Sequence, residues 1–62
     1  MDALDRLRRR IRDIMNDYAD TLAGGGAQDF PEYKRLCGVI EGLAHAEREL
    51  LDIRKLSDED ED

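Results

Sequence analysis

Sixty-two residues make at most one domain, and a chain this short buries only about 60% of the surface its unfolded form exposes. Cys37 is the only cysteine and His45 the only histidine, so an internal disulfide is excluded and a zinc site is far from complete. The net charge of −6 is uneven: residues 1–23 balance five arginines against five aspartates, residues 24–57 set five basic against six acidic groups, and Asp58-Glu59-Asp60-Glu61-Asp62 supplies the rest.

Several classes drop out on these grounds. A whole chain this acidic lacks the basic footprint that phosphate backbones require. The charged start has no apolar stretch of seven or more residues, so no secretory signal is visible. Glu41 and His45 interrupt the most apolar segment, so no membrane-spanning helix is expected. The expectation is a soluble chain made inside the cell.

From Leu4 the apolar residues fall at Leu4, Leu7, Ile11, Ile14, Tyr18 and Leu22, with Met15 widening the row. Steps of three and four predict one amphipathic helix over about 3–23. Gly24-Gly25-Gly26 then offers free positive-φ positions for a C-cap and turn. Arg6, Arg8, Arg9, Arg10 and Arg12 form the only basic cluster on this helix. Asp2 with Arg6, Asp5 with Arg9, and Arg9 with Asp13 stand four apart, so mutual neutralisation is expected to outweigh phosphate contact.

Asp29-Phe30-Pro31-Glu32 reads as an N-cap aspartate, a first-turn proline and a capping-box glutamate. The helical pattern continues to about Leu56, and the short connection requires an antiparallel hairpin. One seam runs through Leu36, Val39, Leu43, Ala46, Leu50 and Ile53, and a second through Tyr33, Cys37, Ile40, Ala44 and Leu51. Together they cover about 200° of the helix circumference, more than the first helix can cover. The excess is expected to be an assembly surface.

Gly38, Gly42 and Ala46, four apart, lie along one edge of that wide face. Each interior glycine costs a helix roughly 1 kcal/mol relative to alanine, and close approach by another backbone would offset that cost. The candidate interface is therefore Tyr33, Cys37, Gly38, Ile40, Gly42, Ala44, Ala46 and Leu51. No catalytic, cofactor or metal residues emerge. Gly24-Gly25-Gly26 lacks the lysine and strand of a phosphate loop, and Glu41, Glu47, Glu49 and Asp52 form no ligand set with a histidine.

The stretch from Asp29 to Ile53 resembles small proteins of tailed bacteriophages that share a D-F-x-E-Y-x-x-L-x-G-x-I-x-G-L-x-x-A-E-R-x-x-L-D-[LI] pattern. Asp29, Phe30, Tyr33, Leu36, Gly38, Ile40, Gly42, Leu43, Ala46, Glu47 and Arg48 sit on it, and the likeness covers about 25 of the 62 residues. It implies a phage origin and a non-enzymatic role as a minor virion or head–tail component.

The expected fold is all-α: an antiparallel two-helix hairpin (about 3–23 and 30–56) forming one domain over 1–56, with a disordered acidic tail at 57–62. It is expected to assemble into a helical bundle or onto a larger phage structural protein, without cofactors. One rival function is inhibition of a host protein through an acidic, nucleic-acid-like surface. Another is a dimeric nucleic-acid-binding regulator using the arginines of the first helix.

Overall fold

The chain was described from a computed structural model, which defines residues 2–60, with side chains through Ser57. It is an all-α helical hairpin of α1 (Ala3–Ala23) and α2 (Phe30–Asp60). The end of α2 lies beyond the expected limit near Leu56. Ser57–Asp60, the first part of the expected tail, continue the helix, while Glu61 and Asp62 lie outside the described residues.

Each helix starts on an aspartate cap. The Asp5 N–H donates to Asp2 Oδ1 at 2.8 Å, and the Glu32 N–H donates to Asp29 Oδ1 at 2.8 Å. Each bond satisfies one of the orphan donors of a helix start. The reciprocal half of the expected capping box is not formed. Glu32 instead accepts both a 3.1 Å bond from Arg35 Nε and a 2.7 Å bond from Arg35 Nη2, which holds its carboxyl below the ordinary glutamate range.

The three glycines close α1 as a Schellman turn. The Gly26 N–H donates to the Thr21 carbonyl (2.8 Å) and the Gly25 N–H to the Leu22 carbonyl (3.1 Å), with Gly25 at φ +77°. Gly26 is needed for space as well, because a Cβ there would stand 2.5 Å from Thr21 Cγ2 and 2.9 Å from the Thr21 carbonyl oxygen.

The packed face of α1 carries Leu4, Arg8, Ile11, Met15, Tyr18 and Leu22, and that of α2 carries Leu36, Ile40, Leu43, Glu47, Leu50 and Arg54. Both rows step alternately by four and three, the spacing that keeps one helix against another over several turns. Ile11, Met15 and Leu50 form the core cluster, with Leu4, Ile40 and Leu43 packed against it. Leu36 is buried toward the loop end.

This inner row lies between the two seams read from the sequence. Leu36, Leu43 and Leu50 of the first seam face α1 as expected, but Ile53 and Ala46 are exposed and Val39 is half-buried. In α1, Leu7 and Ile14 likewise turn out of the packed face.

The contact includes charge. Arg12 donates to Glu47 through Nη2 (2.5 Å) and Nε (3.2 Å), and Arg54 pairs with Asp5. Glu47 is the buried charged residue of the hairpin, whereas the Arg12 side chain remains half exposed. The two rungs stand one heptad apart on each helix. Removing Arg12 leaves a buried carboxylate without its partner, so Arg12→Ala is expected to destabilise the hairpin by about 2 kcal/mol in urea denaturation. The double variant Arg12→Leu/Glu47→Leu should recover most of that loss, because an apolar pair needs no solvation.

Candidate assembly surface

The ion-pair rungs define the two long sides of the hairpin. With a helical step of about 100° per residue, Asp5 and Arg12 fall on one flank of α1. Tyr33, Cys37, Ala44 and Leu51 fall on the matching flank of α2. This is the ion-pair side. The opposite side brings together Leu7 and Ile14 of α1 with Val39, Ala46 and Ile53 of α2, and forms an aliphatic side drawn from both helices. Leu7, Ile14 and Ile53 are 50%, 40% and 54% exposed, far from core values.

The candidate interface residues are therefore divided. Tyr33, Cys37, Ala44 and Leu51 share the ion-pair side, and Ala46 lies on the aliphatic side. Gly38 lies on the back of α2, and Gly42 on the shoulder between that back and the aliphatic side. Ile40 packs inward on the Ile11–Met15–Leu50 cluster, which corrects its expected place in an external surface. The physical reason is that α2 is apolar over so wide an arc that its periodicity alone did not determine which stripe would meet α1.

On the ion-pair side, the exposed Phe30 ring stacks on Tyr33 with centroids 6.2 Å apart and planes 28° apart. The Tyr33 hydroxyl neighbours the Cys37 thiol one turn later, and this raises the tyrosine pKa above its ordinary value. Cys37 is a half-buried free thiol. His45 is exposed and stands 3.8 Å from Glu41. Among the described residues no group of three or more His, Cys, Asp or Glu side chains is gathered to hold a metal ion. No described helix is long and apolar enough to cross a membrane.

The arginine cluster differs from its expected state. None of the three predicted i,i+4 pairs in α1 closes to 4.0 Å; Asp5 reaches across to Arg54 of α2 instead, and Asp2 caps the helix. Among the described residues, Arg6, Arg8, Arg9 and Arg10 have no carboxylate within that distance. Arg6, Arg9 and Arg10 are exposed around Leu7 and form a shallow basic depression on α1.

A Cβ added at either Gly38 or Gly42 would meet nothing within 4 Å. Within the hairpin the glycines therefore admit no close neighbour, and any close approach must come from outside it. Comparison with known proteins finds no matching family model, curated protein or solved structure.

These open positions generate a direct test. Gly38→Ala and Gly42→Ala should each raise the stability of the isolated hairpin by up to about 1 kcal/mol, because alanine gains helix propensity and meets no clash. Thermal unfolding followed by circular dichroism at low micromolar concentration measures this. A loss of stability at either position would mean that the space beside α2 is occupied.

Proposed function

We propose that this chain is a non-enzymatic assembly protein, a helical hairpin that completes its core by burying exposed apolar surface against another protein. The observation carrying this reading is surplus surface. The chain exposes 4967 Å², against roughly 4,100 Å² for a compact monomer of its 7.1 kDa mass. Its radius of gyration is 14.8 Å, against about 10.6 Å for a compact domain of this length. The excess, on the order of 900 Å², goes with the elongated shape of the hairpin and includes the exposed side chains of Leu7, Ile14 and Ile53. Among the described residues no large side chain is fully buried.

The resemblance of Asp29–Ile53 to small phage proteins supplies a setting for this reading: a minor component of a tailed-phage particle. Detection of the chain at constant stoichiometry in purified intact particles would support that setting. Its absence from them would favour action on a host protein instead. A second reading rests on exposed Arg6, Arg9 and Arg10 and makes the basic depression a phosphate contact. Retention on immobilised nucleic acid at low salt, lost on Arg6→Gln/Arg9→Gln, would support it.

The assembly reading makes a prediction about stability. At nanomolar concentration the isolated chain should unfold broadly, with less than about 2 kcal/mol of stability, well below the 5–15 kcal/mol typical of autonomous domains. Chemical denaturation read by fluorescence of a dye attached at Cys37 reaches that range. A cooperative transition above about 5 kcal/mol there would show that the hairpin needs no partner and would overturn the reading.

A further inference from the structure

We propose that the aliphatic side receives a second copy of this chain, with α1 crossing α1 and α2 crossing α2 antiparallel about a two-fold axis at the level of Ile14 and Ala46. The proposal rests on the assembly reading above and names its partner. The ion pairs Asp5–Arg54 and Arg12–Glu47 fix the register of the hairpin. Stepping along from them sets Leu7 level with Ile53, Ile14 with Ala46, and Thr21 with Val39.

The exposed row is symmetric about its middle. Leu7 and Thr21 stand seven residues to either side of Ile14, and Val39 and Ile53 seven to either side of Ala46. A two-fold axis at this level sets Ile14 on Ile14 and Leu7 over Thr21 of the second copy. On the neighbouring helices it sets Ala46 on Ala46 and Val39 over Ile53. A two-fold interface must be self-complementary in this way, and this row of side chains meets the condition.

The charges on the shoulder of α1 meet it too. Arg10 and Asp17 flank the aliphatic row on the side away from α2, at nearly equal distances from Ile14. Among the described residues neither has an ion-pair partner in its own chain. The two-fold axis brings Arg10 of each copy to Asp17 of the other, giving two ion pairs at the rim.

The charge order of α1 is also uneven along its length. Beyond the acidic cap of Asp2 and Asp5, arginines crowd its first half, while Asp13, Asp17 and Asp20 follow, with no basic residue in the last turn. An antiparallel copy of α1 would set the basic half of each helix against the acidic half of the other. Gly42 and Ala46 sit where the two copies of α2 cross, and their small size lets those backbones approach closely.

The area is adequate. The Cα envelope measures 51 × 19 × 12 Å, and the aliphatic side is one of its broad faces. The stretch in which both helices overlap is about 30 Å long and two helix diameters wide, a footprint of roughly 600 Å² before side-chain relief is counted. That approaches the ~800 Å² per partner of a stable complex.

Sedimentation equilibrium of the full chain tests this directly. The expected species has about twice the 7.1 kDa chain mass. Ile14→Glu should weaken self-association at least tenfold, and Leu51→Glu, on the ion-pair side, should leave it unchanged. Arg10→Asp and Asp17→Arg should each weaken it, and the double exchange should restore it, a rescue that a folding defect cannot mimic. A chain that remains at monomer mass up to millimolar concentration overturns the second copy. So does a dimer broken by Leu51→Glu but not by Ile14→Glu. Either result leaves the assembly reading standing on its separate test, the stability of the isolated hairpin at nanomolar concentration.

Discussion

The hairpin depends on two charged rungs, Arg12–Glu47 and Asp5–Arg54, set one heptad apart along both helices. Apolar contacts alone would leave the register of α2 open. Its leucines recur every seven residues at Leu36, Leu43 and Leu50, so a slide by one heptad would still put leucine against α1. The rungs remove that freedom, because a slide would leave Glu47 buried without Arg12. Burying an ion pair contributes little net stability, but breaking one is costly. The gain is selection of one arrangement over others of similar apolar content.

That choice of register has a consequence for the surface. Placing Glu47 and Arg54 in the inner row rotates α2 so that its excess apolar residues overflow on both sides. Tyr33, Cys37, Ala44 and Leu51 emerge beside the rungs, and Val39, Ala46 and Ile53 emerge opposite them, next to Leu7 and Ile14. The first set borders the charged flank of α1. The second meets an aliphatic flank and makes a surface shared by two helices. A hairpin of 62 residues lacks the interior volume to bury both sets, so the core remains thin, with Ile11, Met15, Leu36 and Leu50 as its buried apolar residues.

Much of this was legible in the sequence, and the misses have a common cause. The helix limits near the loop followed from local chemistry: Asp29 caps α2, and Gly25 adopts the positive φ that ends α1. The position of the core followed only in part. Spacing identified Ile11, Leu36, Leu43 and Leu50 as inward, but placed Ile14 and Ile53 with them and Ile40 outside. On a helix apolar over half its circumference, several stripes satisfy the same periodicity. The decision then passes to specific long-range contacts. Glu47 gave no sign of its role, because a glutamate four residues after Leu43 reads as surface until Arg12 is seen beside it. Of the i,i+4 pairs expected within α1, Asp5–Arg9 fails for the same reason, since Asp5 satisfies its charge across the hairpin with Arg54, while Asp2 is taken up in capping the helix.

The glycines of α2 bring these points together. Gly38 and Gly42 weaken a helix that has little packing to spare, and nothing in the hairpin fills the space beside them. If small size mattered only for packing α1, these residues would face it, as Ile40 and Leu43 do. They lie instead on the back and shoulder of α2, and Gly42 borders the aliphatic side at the turn below Ala46. Their low helix propensity is therefore offset by no contact within the hairpin. Gly42 and Ala46 leave little side-chain bulk at this edge of the aliphatic side, while Leu7, Ile14 and Ile53 stand exposed on it. The uneven charge of α1, basic over Arg6–Arg12 and acidic over Asp13–Asp20, suits an antiparallel neighbour better than a parallel one. Low propensity at Gly42 and exposed bulk at Leu7, Ile14 and Ile53 thus border the same face of the hairpin.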